Sequence, residues 1–267
     1  MTPAQFAALA AVGLAVGALG TLVGAGGGFL LMPLLLFVYP HDSPAVLSGI
    51  SLAVVFANAT SGTLAYARLK RIDVRAGLLF AACGWPGAIV GALVSERLDR
   101  RTFDPILGTV LMLGGVLVLF RPKVADHAVA RPTRRLVERD GTVHEYAPRL
   151  AAGAAFSLVV GFLSSLLGIG GGILHVPAMA LLLGFPTHVA TATSHFVLAL
   201  LALVGLLVHA RSGTLAAGMT RIVPLALGAL VGAQLGAAWS TRVHGVWILR
   251  TLGIALITVG VRFVLPH

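Results

Sequence analysis

Charge is what this sequence has least of. Only 10% of its 267 residues are charged, whereas 58% are hydrophobic and the mean hydropathy is +0.97. A soluble domain of this size needs far more polar surface to cover its core. Several apolar runs reach the roughly 20 residues that a helix needs to cross about 30 Å of hydrocarbon. The composition therefore predicts an all-α, multi-pass protein of the cell (plasma or inner) membrane, with the lipid bilayer as its surroundings.

Cysteine and intramembrane acids are also scarce. The single Cys83 excludes an internal disulfide and a cysteine metal site, and we expect neither a metal nor a cofactor. No aspartate or glutamate follows Glu145, and the earlier acidic residues flank the apolar runs. A carrier of cations normally needs a carboxylate within the membrane. The absence of one favours an anionic or neutral substrate and removes the usual proton carrier.

The positive charge is concentrated in two places. The net charge is +10, and basic residues gather in Arg68–Arg75 and in Arg121–Arg149. Basic short loops mark the cytoplasmic side of a membrane protein, so we expect both segments there and no binding of nucleic acid. The N-terminal stretch Met1–Gly20 lacks a basic start and is not expected to be a cleaved signal peptide.

Eight apolar segments divide into two sets of four around a polar stretch. They are Ala4–Tyr39, Pro44–Ala67, Val74–Val94, Phe103–Phe120, Leu150–Phe185, Thr187–Ala210, Leu215–Ala238 and Val246–Val264. We predict a first transmembrane repeat over residues 1–121, a cytoplasmic linker over 122–149 and a second repeat over 150–267. Within the linker, Asp140-Gly141 predicts a short hairpin.

The two sets of segments share a motif. The stretch Gly20–Pro33, "GTLVGAGGGFLLMP", returns 144 residues later as Ser164–Pro177, "SSLLGIGGGILHVP". Ser51 recurs as Ser194, 143 residues later. The segment "GAIVGALV" matches "GALVGAQL" 141 residues later, which pairs Gly87 with Gly228. These matches predict two homologous four-helix repeats, because many transporters are built from such units. Whether the repeats run parallel or inverted stays open.

The glycines predict a break in the first helix of each repeat. The 36 residues of Ala4–Tyr39 would measure about 54 Å as one helix, which is too long for a single crossing. Glycine lets the backbone leave helical geometry, and proline removes a helical amide. We predict non-helical turns at Gly24–Gly28 and Gly168–Gly172, with the second helix of the first repeat starting at about Phe29 or Met32. The alternative is that the glycines only allow a close helix crossing.

A broken helix can form an anion site. It presents free amides and a positive dipole end at the start of its second half, and we expect the two turns to face each other across one cavity. The candidate substrate-binding residues are the turn glycines and the neighbouring polar side chains, namely Gly24, Gly26, Gly27, Gly28, Ser51, Asn58, Gly168, Gly170, Gly171, Gly172, His175, Thr193, Ser194 and His195. Histidine changes charge near neutral pH, so His175 or His195 is the expected proton carrier. The alternatives are a packing role for the histidines and backbone hydrogen bonds for the hydroxyls.

Four stretches carry a family resemblance, namely "GAGGGFLLMP", "GIGGGILHVP", "SGISLAVVFANATSG" and "TATSHFVLALLALVG". Together they resemble the sulfite exporter TauE/SafE family. The resemblance extends from about Gly13 to Val264 and implies about eight transmembrane helices and transport of small sulfur-containing anions such as sulfite and sulfonates. The family commonly has Gly-Thr-Ser-Leu after the second helix begins. Here Ile50 replaces the threonine in the first half, and His195 replaces the leucine in the second.

Residues and resemblance together favour a secondary permease or exporter for small sulfur-containing anions, without catalytic residues. The alternatives are an anion channel and a transporter of another small organic anion. An intramembrane enzyme is the rival from another class, and it would need Ser194 paired with His175 or His195. Proton coupling follows from the histidine argument, and a homodimer stays open.

Overall fold

The computed structural model describes residues 1–119, 132–240 and 246–265, without the side chains of 246–251, and it is almost entirely helical. The elements in chain order are α1 (Pro3–Val23), α2 (Gly28–Val38), α3 (Pro44–Arg68), α4 (Val74–Ser95), α5 (Arg100–Leu119), β1 (Arg134–Val137), β2 (Val143–Tyr146), α6 (Leu150–Leu167), α7 (Gly172–Leu181), α8 (Thr187–Arg211), α9 (Thr214–Trp239) and α10 (Val246–Val264). All eight predicted segments are helical. The first of each half consists of two helices.

Within the described residues, seven helices are long and apolar enough to cross a membrane, and they are α1, α3, α4, α5, α6, α8 and α9. The apolar part of α10, Leu252–Val264, is shorter. Local sequence sets several helix starts. Thr2 forms a capping box with Gln5, and Ser43 and Asp73 cap α3 and α4 through their side chains. The predicted all-α, multi-pass membrane protein is confirmed.

Each glycine turn reverses the chain. Met1 and Gln5, at the start of α1, line one pocket with Tyr39, the residue that follows α2. In the second half, the Arg149 amide before α6 donates to the Leu183 carbonyl after α7 at 3.0 Å. Each pair of helices therefore enters the membrane and returns to the face from which it came.

Three crossing helices follow each reversed pair. The ends of α3 and α9 lie beside the linker, where the Arg139 amide donates to the Leu69 carbonyl at 3.0 Å. We call this the linker face. On the opposite face, Arg100 at the start of α5 donates to the Pro40 carbonyl at 2.6 Å, and Phe263 near the end of α10 contacts Phe37. Because three crossings are an odd number, the two halves have inverted orientations in the membrane.

Matching contacts relate the two halves. A β-carbon on Gly87 would touch the backbone of Leu158 and Phe162, which lie 144 residues after Leu14 and Ala18. A β-carbon on Gly232 would touch Leu14 and Ala18. The structural counterpart of Gly87 is thus Gly232, and the sequence match with Gly228 was wrong by one helical turn. Glycine-alanine pairs recur every four residues in both helices, so that match could slip by a turn.

The predicted hairpin is present in the linker. Strand β1 pairs antiparallel with β2, and Gly141 in the turn has φ of +91°. The hairpin is tied to the α3–α4 loop, because Arg71 pairs with Glu138 at 2.5 Å and Arg134 pairs with Asp73 at 2.6 Å. The described parts of both basic segments therefore share one face, as expected from their charge. Residues 120–131 of the linker lie outside the described chain.

Candidate functional site

The two glycine turns are non-helical, as predicted. Gly24, Gly26 and Gly27 have φ of +82°, +75° and +79°, in the left-handed region that favours glycine. In the second turn Gly168 and Gly170 have φ of +65° and +67°. Helix α2 starts at Gly28, one residue earlier than predicted, and α7 starts at the matching Gly172.

The two turns lie in direct contact. A β-carbon on Gly28 would lie 2.6 Å from the Ile169 carbonyl carbon, and one on Gly172 would lie 2.6 Å from Ala25 Cα. Ile169 and Ala25 are 144 residues apart, so the two contacts are equivalent. The turns face each other, but backbone touches backbone at these points, where a cavity was expected. Passage of an ion between them requires the turns to separate.

The contact lies near the middle of the bilayer. The side chains of Val55 and Leu198 pack against Gly26 in the first turn and Gly170 in the second. Each belongs to a 25-residue helix, α3 or α8, close to its midpoint. Both side chains are at most 2% exposed. The sequence therefore places a break in helical structure at the depth where unpaired backbone groups cost most.

Ser51 compensates for part of that cost. Its hydroxyl donates to the carbonyl of Gly168, at the end of α6, at 2.5 Å. The last carbonyls of a helix lack helical partners, so this bond satisfies one of them inside the membrane. Ser194 is the counterpart of Ser51, and its buried hydroxyl has no hydrogen-bond partner among the described residues. The two turns share a backbone shape, but their side-chain hydrogen bonds differ.

A buried polar network lies on one side of the turn contact. The Thr21 hydroxyl donates to Asn58 Oδ1 at 3.2 Å, and His195 Nε2 lies 3.2 Å from the same hydroxyl oxygen. The Tyr66 hydroxyl donates to the Thr21 carbonyl at 2.9 Å. We call Thr21, Asn58, Tyr66 and His195 the Thr21 network. All four residues are at most 1% exposed.

Among the described residues, the counterparts of the Thr21 network do not form an equivalent set of hydrogen bonds. Residues 143 or 144 positions away from its members are Ser165, Leu201, His209 and Leu52. Two of these are leucines, which cannot hydrogen-bond. Since α3 ends at the linker face, the Thr21 network lies on the linker-face side of the turn contact. Asn58 Nδ2 and His195 Nδ1 have no hydrogen-bond partner within the described chain.

Two of the predicted residues have other partners. His175 Nε2 lies 3.1 Å from Ser157 Oγ, and its ring packs between Phe80 and Phe156. The Thr193 hydroxyl accepts from the Asp73 amide at 3.0 Å and so anchors the α3–α4 loop. The structure therefore brings the ten glycine and serine candidates, Asn58 and His195 to the turns or beside them, and gives His175 and Thr193 contacts elsewhere.

Sequence reasoning missed two members of the Thr21 network. Thr21 was a weak signal, because it is a single hydroxyl three residues before the first turn. Tyr66 lies two residues before Arg68 and reads as an interfacial aromatic residue. Its bond to the Thr21 carbonyl crosses between α3 and α1, and no sequence pattern contains that contact. The pairs of Ser194 with His175 or His195 that an intramembrane enzyme would need are not formed among the described residues, since the Ser194 hydroxyl has no partner there.

Polar contacts close the linker face. Asp73 caps α4 and accepts from Arg134 at 2.6 Å and from the Tyr146 hydroxyl at 2.9 Å. Burial, together with the Asp73 carboxylate, raises the pKa of Tyr146, so its hydroxyl remains a donor. At the opposite face Arg221 pairs with Asp42 and stacks on the Tyr39 ring. Polar contacts among the described residues therefore join neighbouring elements at both faces.

Comparison with known proteins identifies the family. The chain is 34% identical to a probable membrane transporter protein of Bacillus subtilis, over 97% of both chains. It is 30% identical to a probable membrane transporter protein of Xylella fastidiosa, over 94% of this chain and 90% of that one. A probable membrane transporter protein of Methanocaldococcus jannaschii is 29% identical over 76% of this chain and 72% of its own. No solved structure matches significantly.

The family model covers nearly all of the described helices. It matches residues 9–263, which begin in α1 and end in α10. Both glycine turns and the Thr21 network lie within the match. The chain is a multi-pass transporter of the cell membrane, and it belongs to the sulfite exporter TauE/SafE family.

Proposed function

We propose that the chain is a secondary transporter, a permease or exporter, for small sulfur-containing anions such as sulfite or organosulfonates. In this proposal the anion binds where the two glycine turns meet. The observation that carries it is a set of buried polar atoms that have no hydrogen-bond partner among the described residues. They belong to Asn58 and His195, which contact Thr21 just before the first turn, and to Ser194, the counterpart of Ser51. Buried polar groups in proteins are almost always hydrogen-bonded, so such a set favours a ligand.

The chemistry of these atoms suits an oxyanion. Helices α2 and α7 begin at the turns and direct first-turn amides and positive dipole ends toward them. The hydroxyl of Ser194 and the amide of Asn58 add neutral donors. Neutral donors hold an anion without the high cost of burying a fixed charge at this depth. The described membrane helices carry no carboxylate near the turns that would repel an anion.

The Thr21 network supports proton coupling. In the tautomer that we propose, His195 Nε2 supplies the proton that lies between it and the Thr21 oxygen, because Thr21 donates its own proton to Asn58 Oδ1. That assignment leaves Nδ1 of the neutral ring without a proton. Protonation would turn Nδ1 into a charged donor for an anion beside Ser194. In our proposal, binding of the anion and binding of a proton therefore favour each other.

The inverted halves suit alternating access. In many transporters, inverted repeats let one half rock against the other around a site at the membrane midplane. Here the moving surfaces would be the glycine turns, whose lack of side chains lets backbone slide past backbone. Separation of the turns toward one face and then the other would expose the same site alternately.

The decisive experiment is exchange of labelled sulfite in proteoliposomes. We expect saturable uptake that is accelerated by unlabelled sulfite or a sulfonate on the other side, with the substrate recovered unchanged. Flux that does not saturate would favour an anion channel. Exchange of a carboxylate in place of the sulfur anions would favour a carrier of another small organic anion, and chemical change of the substrate would favour an enzyme.

A further inference from the structure

A groove opens at the linker face between the ends of two helices and the hairpin. Its volume is about 480 Å³. The described lining residues are Ala65, Arg68, Leu69, Arg139, Gln234, Ala237, Ala238 and Trp239. The groove lies outside the turn contact and plays no part in the proposed transport site.

Two arginines of the groove are not neutralised. Arg68, in the last turn of α3, and Arg139, in the hairpin, are exposed and form no ion pair with any described residue. Nearby arginines differ in this respect, since Arg71 pairs with Glu138 and Arg134 pairs with Asp73. The Arg139 amide is fixed to the Leu69 carbonyl, which holds the hairpin arginine beside the end of α3. Within the described part of the chain, the groove therefore presents two positive charges that have no ion-pair partner.

The rest of the groove is mostly apolar, since Ala65, Leu69, Ala237 and Ala238 also line it. The one other polar lining residue described, Gln234, donates its amide to Ser61 at 2.8 Å. Trp239, which is 51% exposed, ends α9 at the level of the arginines. Tryptophan prefers the boundary between hydrocarbon and water, where its ring is apolar and its N–H is hydrated. The groove thus has a charged outer end and a mostly apolar inner end.

We propose that this groove binds the headgroup of an anionic phospholipid of the inner leaflet. The two guanidinium groups would hold the phosphate, whose oxygens match their planar donors. Basic pockets between membrane helices on the cytoplasmic side are suited to anionic headgroups. The alanines and Trp239 would contact the first part of the acyl chains. A soluble phosphate would gain nothing from this apolar end, so the shape favours the lipid.

The test measures lipid binding by the full-length protein in detergent. The melting temperature of the protein is measured as phosphatidylglycerol is added. In parallel, native mass spectrometry counts the phosphatidylglycerol molecules that stay bound to the protein. The arms of the test are phosphatidylglycerol, phosphatidylcholine, and soluble glycerol phosphate with inorganic phosphate. The variant is Arg68→Gln with Arg139→Gln. The matched control is Arg97→Gln, an exposed arginine after α4 on the opposite face.

We expect phosphatidylglycerol, but not phosphatidylcholine, to stabilise the parent and the Arg97→Gln control. The double variant should bind phosphatidylglycerol about 30-fold more weakly, since each arginine near an anionic surface contributes about 1 kcal/mol and 1.4 kcal/mol is tenfold. Should the double variant fail to fold, each single glutamine variant should bind phosphatidylglycerol about fivefold more weakly than the parent. Arg68→Lys with Arg139→Lys keeps the charges but not the planar donors, so it should bind more weakly than the parent while still preferring phosphatidylglycerol to phosphatidylcholine.

Three results would overturn the proposal. Equal binding of the two lipids would show that charge is not recognised. Equal loss in Arg97→Gln would show that the total charge matters and this groove does not. Competition by soluble phosphate at the same concentration as the lipid would assign the groove to a soluble anion. None of these results depends on transport, so the lipid site and the transport site fail independently.

Discussion

Substitution of Gly28 by alanine tests the contact between the turns. Gly28 is the first residue of α2, and its φ does not lie in the left-handed region, so alanine fits the local backbone. The added methyl would meet the Ile169 carbonyl carbon and oxygen at 2.6 Å, and the Val55 Cγ2 atom of α3 at the same distance. The Ile169 atoms are backbone atoms of the other turn and cannot rotate away. The variant therefore pushes the two turns apart and also presses on the Val55 side chain.

The size of the effect follows from that distance. Ordinary contact begins at 3.4 Å, so the turns must separate by about 0.8 Å. An extra methylene in a packed interior costs about 1–3 kcal/mol, which corresponds to a factor of roughly 5 to 150 in an equilibrium constant. We expect the conformation with touching turns to be destabilised by that amount. Gly172→Ala should act alike, because its methyl would lie 2.6 Å from Ala25 Cα.

The assay compares sulfite exchange and melting temperature for each variant. Both alanine variants should lower the melting temperature and slow exchange at least fivefold at equal protein in the membrane. Gly49→Ala is the matched control in α3, because its methyl would meet only the end of the Leu215 side chain, at 3.3 Å, and the His209 side chain, at 3.5 Å. It should exchange sulfite like the parent.

Parental exchange and parental melting in both Gly28→Ala and Gly172→Ala would refute the reasoning. Backbone in contact cannot accept a methyl group at no cost, so that result would mean that the turns do not touch in the working protein. A lower melting temperature with unchanged exchange would show that the two turns do touch but that their contact does not limit transport.

Three further predictions concern the polar contacts. Thr21→Val keeps the shape of Thr21 but leaves Asn58 Oδ1 and His195 unpaired, which should cost about 1–3 kcal/mol of stability and weaken anion binding. The control, Ser165→Ala at the counterpart position, should leave anion binding unchanged. Equal effects of the two variants would show that the Thr21 network is not specific to one side of the turn contact. Anion affinity should fall as pH rises from 5.5 to 8.5, because only protonated His195 presents a charged donor, and His195→Gln should flatten that profile. His175→Gln should leave the profile as in the parent, and superimposable profiles for all three proteins would exclude His195 as the carrier. Glu138→Gln removes the charge that compensates buried Arg71, and breaking a buried ion pair costs about 3–5 kcal/mol. The variant should therefore make the hairpin more sensitive to limited proteolysis. An unchanged cleavage rate would contradict the role of this pair in holding the hairpin against the α3–α4 loop.

The helix breaks could be predicted because their causes are local. Three consecutive glycines and a proline five residues later weaken a helix wherever they occur. The length of the first segment then required a break, and the structure starts α2 within one residue of the predicted range. The reversal of the chain could not be predicted in the same way. Glycine permits many directions, and the choice depends on tertiary packing, such as that which brings Tyr39 and Gln5 to the lining of one pocket.

The inverted arrangement of the two halves could not be predicted from the sequence for the same reason. Parallel and inverted repeats differ only in whether each glycine turn bends or reverses the chain. The second half of this chain carries few charges near its helix ends, so the distribution of basic residues does not separate the two cases. A single tertiary contact in each half, such as that between Arg149 and Leu183, decides between them.

The sequence could not distinguish the two candidate histidines. His175 and His195 both lie within or beside a repeated motif, and both occupy positions where the first half has leucine, Leu31 and Leu52. Their difference lies in what neighbouring helices present to them. Helix α6 offers His175 a hydroxyl at Ser157 and an aromatic wall, whereas α1 offers His195 the Thr21 hydroxyl next to a helix break. Only the second environment combines a histidine with unpartnered polar atoms.

The Thr21 network makes the two halves of the protein chemically different at the turn contact. If all contacts were related by the pseudo-symmetry, the conformations open to either face would have equal free energy. The backbone contacts obey that symmetry, as Gly28 with Ile169 and Gly172 with Ala25 demonstrate. The polar side chains break it, because Leu52 stands where the second half has His195. In the transport cycle that we propose, an energetic difference between the two open states would come from side chains that break the symmetry, among them the Thr21 network. The glycine backbone would supply the motion common to both states.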